Sequence, residues 1–163
     1  MDIKYYDFNT SIGKMLIFFS SKGIVYLTMS NEDEEDIVNF VKVKFGQASK
    51  VNSVGYSFHE QIIEYLNGRR KSFSLPLDLR GTDFQKKVWN ELVKIPYGET
   101  RTYKDIARSI NVPQGYRAVG NALNKNPVLI VIPCHRVIGS DGKLTGFRGG
   151  LELKAKLLEL ERS

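Results

Sequence analysis

A chain of 163 residues with 42% hydrophobic side chains can bury a core as one compact domain or two small ones, which excludes a disordered or fibrous protein. The formal charge of +6 favours polyanionic partners, although Lys and Arg occur throughout, so charge alone does not select nucleic acid. One cysteine excludes an internal disulfide framework, and Cys134 with the two histidines, His59 and His135, is a poor zinc set, so no structural metal is expected.

The first residues, Met1-Asp2-Ile3-Lys4, lack a signal-peptide pattern. No apolar run is longer than residues 128–132, which is far too short to cross a bilayer. A soluble, intracellular monomer with no membrane partner is expected.

Residues 3–7, 14–20 and 23–29 are short runs rich in β-branched and aromatic side chains, and turn residues separate them (Asn9-Thr10-Ser11 and Ser20-Ser21-Lys22-Gly23). They read as a small antiparallel meander. Asn31 is placed to cap a helix with an acidic first turn, with Ile37, Phe40, Val41 and Phe45 on its buried side and Gly46 as its stop. A second helix carries Phe58, Ile62, Ile63 and Leu66 and ends near Asn67-Gly68, with His59 at the boundary of its apolar stripe. Residues 69–80 are basic and then extended, and read as the connection between an N-terminal α/β domain (1–80) and a second domain (81–163).

Thr82 to Gln85 has the form of a capping box ahead of a helix whose face is Phe84, Val88, Trp89, Leu92 and Val93, ending at Ile95-Pro96-Tyr97-Gly98. Thr102 with Asp105 opens a short helix bearing Ile106, Ala107 and Ile110; Asn111 to Gly115 breaks it; residues 116–123 suit another. Two short helices around a tight turn match a helix-turn-helix. The second carries Arg117, Ala118, Val119, Gly120, Asn121 and Ala122, a small-residue face unsuited to major-groove readout, which needs several side chains on base edges. Such a face suits close approach to a backbone or minor groove with an Arg entering the stack. The alternative is an ordinary helical hairpin with one exposed Arg. The last helix is expected to bury Leu151, Leu153, Ala155, Leu157, Leu158 and Leu160, with Glu161 near its end either exposed without consequence or facing an internal partner.

The chemistry concentrates at Ile132-Pro133-Cys134-His135-Arg136-Val137. A free cysteine is often a small core hydrophobe. Here His135 and Arg136 follow at once, and nearby cations favour a thiolate. Adjacent residues of an extended segment seldom face each other, so a water-bridged proton path from Cys134 to His135 is the easier one. Asn126 precedes Pro127 and belongs in a turn, where its amide can bond nearby backbone. Residues 139–142 form a turn, and residues 145–150 a flexible loop with an aromatic ring and a cation.

Pro133-Cys134-His135-Arg136-Val137, preceded by Arg117-Ala118-Val119-Gly120 and Asn126-Pro127 and followed by Gly146-Phe147-Arg148-Gly149-Gly150, resembles the O6-alkylguanine-DNA alkyltransferases over residues 82–161. The resemblance implies an α+β protein: a variable N-terminal α/β domain with an antiparallel sheet, and a mostly helical C-terminal domain with a helix-turn-helix. It implies that Cys134 takes an alkyl group from guanine O6, irreversibly and once per molecule, and leaves O4-alkylthymine open as a second substrate. His135 would be the base acting through water, Glu161 would hold its second nitrogen, Asn126 would brace the turn, and Tyr103 would donate to the leaving guanine. Arg117 would fill the gap of the flipped nucleotide, with Ala118, Tyr103, Thr102 and Asn121 along the DNA. Tyr103, Leu123, Val137, Phe147 and Arg148 would form the base pocket. The partner is double-stranded DNA containing alkylated guanine. Displacement at carbon by a thiolate, with an acid at the leaving group, needs neither metal nor organic cofactor.

Phe147 stands where many relatives carry Tyr, which removes a hydroxyl from the pocket. The presence of Cys134 separates this chain from alkyltransferase-like proteins, which bind lesions but replace the cysteine. Two other functions fit parts of the sequence: a DNA-binding helix-turn-helix module with a packing cysteine, and a cysteine hydrolase, for which a nucleophile elbow is lacking.

Overall fold

A computed structural model describes residues 2–30 and 33–162. The chain divides into two compact units, with the break between Arg80 and Gly81. No helix among the described residues is long and apolar enough to cross a membrane.

The first unit is a four-stranded sheet in the order β3-β2-β1-β4. β1 (Ile3–Thr10), β2 (Gly13–Ser20) and β3 (Gly23–Met29) are antiparallel neighbours, and β4 (Ala48–Lys50) pairs parallel with β1. β1 runs to Thr10, past the expected end at residue 7, because its pairing with β2 continues to Thr10 opposite Gly13. Every residue of β2 from Met15 to Ser20 is buried, as in a strand covered on both faces. Alternation distributes the cover. Tyr5, Leu16 and Phe18 face Val38 and Val41 of α1 (Glu34–Phe45), while Tyr6, Phe8 and Phe19 pack against Tyr56, Phe58 and His59 around the start of α2 (Phe58–Leu66).

Three expectations change in this unit. The cap of α1 is Asp33, whose side chain accepts from the Glu35 N–H; Asn31 lies outside the described residues. Val38 is buried on α1, and Phe40 is 46% exposed, because the helix turns its narrow Val38/Val41 stripe to the sheet. Residues 69–80 do not merely connect: Ile24 N–H donates to Pro76 O (2.9 Å), Asp78 N–H to Ile24 O (2.8 Å), and Arg80 reaches Phe45 O (2.8 Å), which ties the stretch to the edge of β3 and to α1. Gly23 permits this approach, since a Cβ there would stand 2.5 Å from the Pro76 backbone.

The second unit is helical. α3 (Asp83–Leu92) begins with the complete Thr82/Gln85 capping box and buries Val88, Trp89 and Leu92, with Trp89 Nε1–H donating to Ala122 O at 2.9 Å. Val93, expected on that face, is half exposed because the helix ends before it. β5 (Arg101–Thr102) leads into α4 (Tyr103–Ser109), Asn111 turns the chain at φ 64°, and α5 (Tyr116–Asn124) follows. β6 (Val137–Ile138) pairs parallel with β5. The last helix, α6 (Leu151–Arg162), buries Leu153, Lys154, Leu157, Leu158 and Glu161. Leu151 and Ala155, expected in its stripe, are exposed, and a lysine takes the inward position.

Candidate functional site

The turn after α5 is built around a buried amide. Asn126 is fully buried; its Oδ1 accepts from Val128 N–H at 2.9 Å, and its Nδ2 donates to Ile132 O at 2.8 Å and to Cys134 Sγ at 3.0 Å. One side chain thus closes the 126–132 turn and touches the thiol at its exit. Inside the turn Ile130 adopts φ 75°, a left-handed conformation that costs a β-branched residue of order 1–3 kcal/mol. Close packing holds it there, since Val128, Leu129, Ile130, Val131 and Ile132 are all buried.

Cys134–Arg136 is a 3-10 turn rather than an extended segment, which swings successive side chains to different sides. Cys134 meets Asn126. His135 and Arg136 both run to Glu161: His135 Nε2 lies 2.8 Å from Oε2, and Arg136 closes a two-point bond (Nε to Oε1, 2.8 Å; Nη2 to Oε2, 2.9 Å). Arg136 also donates to Ile95 O at 2.7 Å, and Gly98 N–H reaches Glu161 Oε1 at 3.3 Å. Glu161 is therefore an internal anchor, not an idle surface residue. Arg136, read from the sequence as a cation for the thiol, spends its charge on Glu161.

Burial pushes the Cys134 thiol above its ordinary range; the Asn126 bond and the charges of Arg148 and Lys154 act in the opposite direction. The resting group is a neutral thiol. Burial also lowers His135, against the pull of Glu161. The charge of Arg136, which is bonded to the same carboxylate, adds to that lowering. A neutral imidazole with Nε2 held by Glu161 presents Nδ1 as its proton-accepting nitrogen.

The loop after β6 closes the site. Arg148 Nε donates to Asn126 O at 2.8 Å, and the Phe147 ring meets the His135 ring edge-on, centroids 6.5 Å apart. The wholly buried Lys154 donates to Val137 O and Thr145 O, and Thr145 Oγ donates to the Tyr103 hydroxyl at 2.8 Å.

Thr145 and Gly146 of the same loop line a groove of about 560 Å³ together with Tyr103, Lys104, Arg117 and Asn121. Thr102 caps α4 through its side chain and sits at the start of this wall. Arg117, Ala118 and Asn121 are exposed on α5, while Val119, Ala122 and Leu123 turn inward. Leu123 and Val137, expected in a pocket, are core residues at 3% and 0% exposure, because the hydrophobic side of α5 and the paired strand β6 both face inward.

Sequence reasoning missed Lys154, the Arg136–Glu161 pair, Thr145, and the Lys104–Tyr116 contact, in which the ammonium sits 5.7 Å over the ring. For Lys154 the signal was its place between Leu153 and Leu157 in the apolar register of α6. For the others the sequence carries no local signal. Among the described residues no group of three or more His, Cys, Asp or Glu side chains could hold a metal ion.

The family model of the 6-O-methylguanine DNA methyltransferase DNA binding domain matches residues 83–163, and that of the ribonuclease-like domain of the same proteins matches residues 3–79. A methylated-DNA–protein-cysteine methyltransferase of Methanosarcina barkeri is 47% identical over 98% of each chain. An inducible one of Bacillus subtilis is 46% identical over 86% of this chain and 80% of its own length. A crystal structure of Mycobacterium tuberculosis OGT in complex with DNA superposes with a TM-score of 0.84 at 37% identity, covering 99% of this chain and 93% of that one. With both halves of the sequence matched by the two domain models and relatives of this kind covering nearly the whole chain, this chain belongs to the 6-O-methylguanine DNA methyltransferase family.

Proposed function

We propose that residues 81–163 bind duplex DNA and carry the alkyl transfer, with Cys134 as the nucleophile. The protein repairs DNA by moving the alkyl group of O6-alkylguanine to its own cysteine, and it acts with the DNA, inside the cell. The observation that carries the assignment of roles is the free thiol held by Asn126, next in the chain to an imidazole bonded to a buried carboxylate, on the turn that leads through β6 into the loop lining the groove that Arg117 borders.

His135 accepts the thiol proton at Nδ1 through a water, the imidazolium forming against Glu161. The thiolate attacks the alkyl carbon; the S–C bond forms as the C–O6 bond breaks, and the bonding pair stays on the purine. Tyr103 donates a proton to the purine and regains one from solvent, while His135 releases its own, so charge balances. Asn126 steadies the sulfur and the turn. Phe147 and Arg148 wall the reacting end of the site. Chemistry on a stacked base requires its extrusion, at a few kcal/mol, and Arg117 offsets this by occupying the vacated position, with Ala118 and Asn121 small enough for α5 to lie close. The thioether product is not hydrolysed, so each molecule reacts once.

Intact-protein mass after incubation with excess duplex containing O6-methylguanine tests this reading. A gain of one methylene that saturates at one per chain, absent in Cys134→Ser, is expected; binding without mass change points to a lesion-binding protein. Arg117→Ala should slow reaction with duplex far more than with the free modified base, and equal losses remove it from base extrusion.

A further inference from the structure

The groove holds two hydroxyls in register. Thr145 Oγ donates to the Tyr103 phenol oxygen at 2.8 Å, and the carbonyl of Thr145 accepts from Lys154 Nζ at 2.9 Å. Lys154 is wholly buried and bonds Val137 O as well, so it ties Thr145 to the strand that follows the reactive turn. The Tyr103 ring lies against α5 on its other side, where a Cβ added to Gly120 would stand 3.8 Å from the nearest ring carbon.

We propose that Thr145 is the positioning residue for Tyr103, setting the direction and strength of its hydrogen bond to the leaving purine. The proposal rests on the reading of Tyr103 as that donor. A phenol has one proton, and it prefers the ring plane, so a bond accepted from Thr145 on one side leaves the opposite in-plane position for the O–H, free to be donated to a purine. A hydroxyl that accepts one hydrogen bond donates a stronger one. The bond lies at the groove surface, where water competes with it. Lys154 answers that competition by holding the Thr145 peptide from beneath, independently of the hydroxyl. Thr145 acts through Tyr103.

Single-turnover alkylation rates and duplex affinities of wild type, Thr145→Val, Thr145→Ser, Tyr103→Phe and the Thr145→Val/Tyr103→Phe double variant test it. Loss of one hydrogen bond predicts a rate about three- to tenfold lower for Thr145→Val, near-complete recovery in Thr145→Ser, unchanged affinity, and no further loss when Thr145→Val is added to Tyr103→Phe. A wild-type rate in Thr145→Val overturns the proposal. So does a Thr145→Ser rate as low as that of Val, or an equal loss in the Phe background, since either means that Thr145 acts only through loop shape. If Tyr103→Phe itself reacts at the wild-type rate, the donor assignment of Tyr103 fails, a result separable from a neutral Thr145→Val.

Discussion

The two units spend their interiors differently. Up to Arg80 the core is hydrocarbon and aromatic ring, and apart from tyrosine the one buried polar side chain among the described residues there is Ser20. Beyond it, Asn126, His135, Arg136, Lys154 and Glu161 are all buried. Desolvated charges are poor stabilisers, since a well-packed apolar set of the same volume is often as stable or more so. Their clustering in the second unit supports the proposal that the chemistry lies there.

Glu161→Gln attacks the second interior at its centre. It leaves Arg136 buried without its counter-charge, and a stability loss of about 3–5 kcal/mol is expected by denaturant titration, together with slower alkylation. An unchanged midpoint would show the charges to be incidental. The counterpart in the first unit is Leu16→Ala, which opens a cavity in a fully buried position and costs about 2–5 kcal/mol, with the alkylation rate per folded molecule unchanged. A lowered rate in that variant would draw the sheet into the chemistry.

A weaker effect is set by pH. His135 titrates below its ordinary 6.5 in the folded protein, so the folded state holds fewer protons than the unfolded one in that window. Its contribution to stability is whole above about 6.5 and is lost as the pH falls through the depressed folded value. Unfolding midpoints between about pH 5 and pH 8 should decline toward acid less steeply in His135→Gln than in wild type; parallel declines would assign the loss to other groups. Smallest of all, Val43→Ser on the outer face of α1, where Val43 is 90% exposed, should change stability by less than about 0.5 kcal/mol. A larger loss would mean that this outer face of α1 is covered.

Local chemistry was readable in the sequence, and long-range partnership was not. The Thr82/Gln85 and Thr102/Asp105 capping boxes close within four residues, so residue type and spacing suffice to find them. The Asn126 turn is equally local, apart from its bond to Cys134. Arg136 and Glu161 are 25 positions apart, and nothing near either residue says that one will satisfy the other. Helix faces failed where side-chain type outran geometry: Phe40 and Leu151 are apolar but turned outward, and Lys154 is charged but points inward at two carbonyls. The short β4 had no signal beyond three residues, and its pairing with β1 comes from the return of the chain after α1.

The concealment of Cys134 also protects the protein's working life. A molecule that reacts once is spent by any electrophile or oxidant that finds its sulfur first. The thiol is 3% exposed and its acidity is suppressed by burial, so the thiolate that such reagents attack is scarce and screened. A peroxide meeting the resting protein finds little to oxidise, and under the proposed mechanism the reactive form of the sulfur belongs to the moment when His135 takes the proton. Long storage under reducing or mildly oxidising conditions should therefore leave most of the pool ready to react.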